Sequence, residues 1–162
     1  MPNYNPSFMQ VAADYRLGLR VDRATDSLPA TTDEALFNIV GGRVLVTRII
    51  GEVTTAIQNQ ANATKLKHNP TGTGSDVDLC ATLNIANDAI GTYYSITGVL
   101  ADAMNSTSLW AIVPADAIAA QGLVLGPGDI ELDCAATNTG SVKWSVWYVP
   151  LDDGAYIAST AV

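Results

Sequence analysis

The chain has 162 residues and a mass of 17.0 kDa, the size of one domain with a full hydrophobic core. It is 48% hydrophobic and only 15% charged, the reverse of a disordered chain, and no apolar run approaches the ~20 residues of a membrane-spanning helix. A formal charge of −8 argues against a nucleic-acid binder, which needs surplus cations to neutralise phosphates.

The start, Met1-Pro2-Asn3-Tyr4-Asn5-Pro6, has no basic stretch followed by an apolar one, so no secretory leader is expected. Residues 1–33 carry Pro2, Pro6 and Pro29, scattered charges and a polar end. They read as an extended N-terminal arm, with one amphipathic turn around Met9–Tyr15 as its only helix candidate. Residues 34–162 read as a β domain. Ala35–Val40 and the β-branched run Val44–Ile57 are two strands, and the Gly41-Gly42 pair between them predicts a hairpin. Gly51 inside the second run predicts a bulge or bend. A short strand, Ala63–Lys67, precedes an open loop over residues 69–75.

Asp76–Ile85 alternates, with Val77, Leu79, Ala81, Leu83 and Ile85 on one face and Asp76, Asp78, Cys80, Thr82 and Asn84 on the other. That is the period of a half-buried antiparallel strand. Thr92–Thr97 is a strand with Tyr94 and Ile96 on one side. Leu109–Val113 is a short apolar strand, Ala115–Gln121 one helical turn, and Leu123–Leu125 a strand ending at Gly126-Pro127-Gly128. Asp129–Ala136 alternates again, with Ile130, Leu132 and Cys134 opposite Asp129, Glu131 and Asp133. Val142–Val149 places Val142, Trp144, Val146 and Tyr148 on one face, and the turn Asn138-Thr139-Gly140 joins these two strands as a predicted hairpin. Tyr156–Val162 is the last strand. Eight or nine short strands at this spacing predict a mainly β fold, an antiparallel β-sandwich or barrel. Few lysines are placed to block strand edges, so oligomerisation or docking is expected to cover them.

Charge divides unevenly: residues 1–67 carry +1 and residues 68–162 carry −9. A solvated acidic surface explains this, and so does an Arg-bearing arm on an acidic body. The two cysteines, Cys80 and Cys134, and the single histidine, His68, are too few for a structural zinc site. Cys134 reads as a buried thiol; a Cys80–Cys134 disulfide stays possible, although nothing indicates an oxidising compartment. His68 reads as a lone surface histidine, and no nucleophile motif or phosphate-binding loop accompanies it, so no enzymatic activity and no cofactor is expected. The acids Asp76 and Asp78, and Asp129, Glu131 and Asp133, are the best chemical candidates. They read first as the solvent face of strands. Two such strands side by side could also supply oxygens to calcium, or a carboxylate pair to a glycosidase. Trp144 and Tyr148 fall on the core face. Trp147 falls on the opposite face with Lys143 and Ser145 and reads as an exposed contact anchor.

Two stretches, residues 23–55 with Arg23-Ala24-Thr25-Asp26-Ser27-Leu28-Pro29 and Leu36 through Thr55, and residues 126–151 with Gly126-Pro127-Gly128-Asp129-Ile130 and Lys143-Trp144-Ser145-Val146-Trp147-Tyr148-Val149-Pro150-Leu151, resemble small virion structural proteins of tailed bacteriophages. The resemblance covers roughly residues 23–151. It implies a capsid decoration (cement) protein, a class often built as a β-sandwich or jelly roll and often trimeric. The partner it implies is the major capsid protein of the same phage, and the location is the virion exterior. The family offers no signature site to carry over. Arg16, Arg20 and Arg23 are the expected shell contacts, because Arg pairs bidentately with interface carboxylates, with Trp147 beside them. The alternative is a tail or fibre component that binds a receptor or glycan through Trp147 and the tyrosines, with calcium at the aspartates.

Overall fold

The structure is a computed structural model that describes residues 17–107 and 122–162. The chain is mainly β, in two antiparallel sheets. The strands are β1 (Leu19–Ser27), β2 (Asp33–Val40), β3 (Val44–Thr55), β4 (Ala63–Pro70), β5 (Val77–Asp78), β6 (Leu83–Asn84), β7 (Tyr93–Ser95), β8 (Asn105–Thr107), β9 (Leu123–Leu125), β10 (Gly128–Cys134), β11 (Ser141–Pro150) and β12 (Tyr156–Ser159). The first sheet runs β1-β11-β3-β7-β8, with β9 also on β3. The second runs β12-β2-β10-β4-β5, with β6 also on β4. The expected elements at Met9–Tyr15, Leu109–Val113 and Ala115–Gln121 lie outside the described residues.

Among the described strands, seven of the eleven successive pairs lie in different sheets. Gly41-Gly42 and Asn138-Thr139-Gly140 are reversals, but neither makes a hairpin: β2 and β10 lie in the second sheet, β3 and β11 in the first. The arm reading also fails over residues 19–27. They form β1, in register with β11 from Leu19 opposite Tyr148 to Ser27 opposite Ser141. Val21 sits among the apolar side chains there, and that packing holds the segment in the sheet.

One cluster of buried side chains is drawn from both sheets. It includes Leu36, Phe37, Ile39, Leu66, Ile130 and Leu132 from the second and Val44, Val46, Ile49, Val53, Trp144 and Val146 from the first. Trp144 stacks on Tyr94 with ring centroids 6.3 Å apart. Bulges tune the faces. In β2 the register slips between Phe37 and Ala35, so the consecutive residues Leu36 and Phe37 both point inward. In β3 the extra residues are Thr47 and Thr54, and the Thr54 hydroxyl donates to the Ser141 carbonyl at 3.2 Å. Gly51 is no bulge: it pairs squarely with Trp144. The predicted strand Asp76–Ile85 is broken into β5 and β6. The chain bends between them and buries Leu79 and Cys80 together, where strict alternation would expose one.

Both edges of the sheet pair are tied. At one, Arg23 of β1 reaches across to the second sheet. At the other, Ala81 and Ala103 form a bridge, with the Ala81 amide 2.7 Å from the Asp102 carbonyl.

Candidate functional site

β10 runs between β2 and β4, so its outward side chains meet those of both neighbours. Glu131 pairs with Lys67 on one side and Ala35 on the other; Asp133 pairs with Lys65 and Asp33. The Lys67 ammonium lies 2.6 Å from Asp33 and 2.9 Å from Asp76. Lys65 lies 2.8 Å from Asp78 and 3.8 Å from Asp133. Asn38 donates to Asp129 at 2.7 Å and Asn69 to Glu131 at 3.0 Å. The two acid strings do meet on one face, as their alternation suggests. Glu131, however, is only 7% exposed and is no solvent-face residue. Asp33 joins them because β2 flanks β10, a neighbour relation that no local pattern encodes.

Single ligand atoms of Asp33, Asp76 and Glu131 all lie within 4.8 Å of one another. Three carboxylates supply at most six oxygens, the lower end of what calcium takes, and the Lys67 ammonium already contacts two of the three. Burial opposes the charge on Lys67, but its bonds to Asp33 and Asp76 outweigh that and hold its pKa well above the ordinary lysine value. Burial, with Asp33 nearby, pushes the Asp133 carboxyl up. This face stays net acidic, with six carboxylates against Lys65 and Lys67, and the Lys67 ammonium sits where Asp33 and Asp76 converge.

The expected contact residues part company. Arg16 lies outside the described residues. Arg23 is no surface residue: its side chain is 2% exposed. Its guanidinium pairs with Asp26 at 2.9 Å and with Glu34, and its Nε donates to the Thr160 hydroxyl at 3.1 Å. Arg23 pairs with the buried Trp144 of β11 and shares its inward face, where Glu34 of β2 and Thr160 close over it. Burial raises the Glu34 carboxyl; Asp26 is also opposed by burial, but the Ser27 amide and Arg23 bring it below the ordinary range. Arg20 is exposed. It pairs with Asp22 at 2.7 Å, and its guanidinium carbon lies 5.1 Å from the centroid of the half-buried Trp147 ring, a cation–π contact. Arg48, which carried no signal in the sequence, faces Trp147 from the other side, on β3.

His68 is buried, with Nδ1 3.2 Å from the Asp129 carbonyl oxygen. The expectation of a surface histidine fails because its strand, β4, continues to Pro70 between β10 and β5. Burial lowers its pKa against the pull of that carbonyl. Cys80 and Cys134 are free and buried. Burial raises both thiols, Cys134 to about 11, which keeps them unreactive. Among the described residues no helix is long and apolar enough to cross a membrane. No protein-family model, curated protein or solved structure matches the chain.

Proposed function

We propose that the chain is a non-enzymatic capsid decoration protein of a tailed bacteriophage. It binds the outer surface of the head shell, through the major capsid protein, and stabilises the shell. The observation that carries this reading, beside the sequence resemblance, is the surface pair Arg20 over Trp147. Arg and Trp are the residue types that dominate binding at protein interfaces, and here a rigid sheet holds them together. The fold of this reading is an antiparallel β-sandwich of jelly-roll type. The shared core and the alternation of the chain between sheets support it. The assembly of this reading is a homotrimer.

The mechanism is mass action. A ligand that binds the mature shell but not its separated subunits stabilises the shell by RT ln(1 + [L]/Kd) per site. A trimer that spans several shell subunits gains further through effective concentration. The tail or fibre alternative has less support, since Tyr94 and Tyr148 are buried and Lys67 sits among the carboxylates proposed for calcium.

Immunogold negative-stain microscopy of the source phage tests the reading. Even label over heads is the expected result. Label confined to tails selects the receptor-binding alternative, and virions without label overturn both.

A further inference from the structure

We infer that the outer face of the first sheet is the docking face, and that its partner is a protein surface presenting carboxylates beside apolar side chains. This rests on the decoration reading for the partner's identity, but the face is argued from its own geometry. Three strands build it. Arg20 of β1, Trp147 of β11 and Arg48 of β3 stand in register, so one aromatic is flanked by two guanidinium groups. The next outward rung is Val149 of β11, Leu45 of β3 and Val124 of β9. Val124 is 59% exposed and Val149 38%.

Charge identifies the occupant. The chain carries −8 overall, yet this rung is cationic. Arg20 already has Asp22. Arg48 makes no ion pair among the described residues, which leaves it free to take a carboxylate from outside. Arg does so with two parallel hydrogen bonds, and more strongly once the apolar rung beside it excludes water. Such a rung fits the core-and-rim anatomy of a protein interface, where Trp and Arg are enriched at the centre. The opposite sheet presents an acidic surface whose two lysines, Lys65 and Lys67, are already paired with its own acids, so it has no free cation for a partner's carboxylate.

The test is co-sedimentation of the full chain with heads and with tails separated from the source phage, the heads stripped of this protein. Arg48→Glu reverses the free charge. Val124→Asp places a charge in the apolar rung at an exposed position. Thr73→Glu combined with Ser75→Glu adds the same negative charge in an exposed loop beyond β4 and serves as control. Thermal melts and sedimentation velocity of each variant alone report folding and self-association. The expected result is that wild type and control pellet with heads, while Arg48→Glu and Val124→Asp each weaken binding about 30-fold or more with the fold intact. Equal binding by all four proteins overturns the face but leaves decoration standing. Binding to tails alone, still lost in the two variants, overturns decoration but keeps the face. Loss of a wild-type oligomer in the variants, with head binding retained, means the face joins copies of this chain and overturns the partner. Binding to neither fraction overturns both.

Discussion

Trp144 and Gly51 face each other across β11 and β3, and a Cβ built on Gly51 would come 2.8 Å from the indole ring. The glycine is there for space. Trp144 is almost fully buried and fills the room a side chain at 51 would need. Gly51→Ala is therefore expected to lose about 1–3 kcal/mol through overpacking. Trp144→Ala is expected to lose about 3–5 kcal/mol through the cavity it leaves. Urea titration followed by circular dichroism measures both, and an unchanged midpoint for Gly51→Ala would contradict the packing described.

Arg23 ties β1 to the second sheet through Glu34 and Thr160. Arg23→Ala leaves two partly buried carboxylates without their cation and is expected to cost about 1–3 kcal/mol. Removing the stranded charges as well, with Asp26→Asn and Glu34→Gln in the same chain, is expected to recover part of that loss. A double-mutant cycle on thermal unfolding measures the coupling, and additive losses would mean the clasp does not exist.

Two groups contribute to the acid limb of stability in separate pH ranges. Asp152 accepts from the Arg43 amide at 2.7 Å and from its guanidinium at 2.8 and 3.0 Å, which lowers its pKa from 3.8 to about 2. A depressed folded pKa contributes stability that is full above 3.8 and is lost as pH falls towards 2. His68 is lowered by burial from 6.5, so the unfolded chain takes up its proton first and stability declines as pH falls below 6.5. Melting temperature across pH is expected to fall in two stages. Asp152→Asn reduces the lower stage, to which the lowered Asp22 and Asp26 also contribute, and His68→Gln reduces the upper; a profile unchanged by either variant would refute the assignment.

Lys67→Met removes the ammonium that pairs with Asp33 and Asp76, beside Glu131. The variant is expected to melt lower than wild type and to recover partly in millimolar calcium, the range of a weak oxygen-ligand site. Wild type is expected to show no calcium response. Differential scanning calorimetry with and without the ion checks both, and a calcium-stabilised wild type would show that lysine does not occupy the cation position.

Alternation made the inner face of β11 legible in advance: Val142, Trp144, Val146 and Tyr148 are all buried. The same holds for Ile130, Leu132 and Cys134 of β10. Sheet membership was not legible, because turn residues such as Gly41-Gly42 encode a reversal of direction but not the strand on the far side. The broken strand between β5 and β6 hid for a related reason, since a bend can bury two neighbours at once. Of the candidate site, Arg20 and Trp147 were legible from position and type. Arg23 misled, because a local reading cannot see Glu34 and Thr160 arriving from the other sheet. Arg48 was invisible until β11 placed Trp147 beside it.

The order in which strands are made differs from the order in which they pair. β1, complete at Ser27, pairs only with β11, which ends at Pro150. The centre of the second sheet, β10, is also late. At ~5–20 residues per second of synthesis, β1 waits about 6–25 s on the ribosome for its partner. During that time β2 lacks β10, and β3 lacks β11, so strand edges that end up covered are open to other nascent chains. A cell making many copies at once thus faces its greatest aggregation risk before release, and slower elongation is expected to lower the soluble yield.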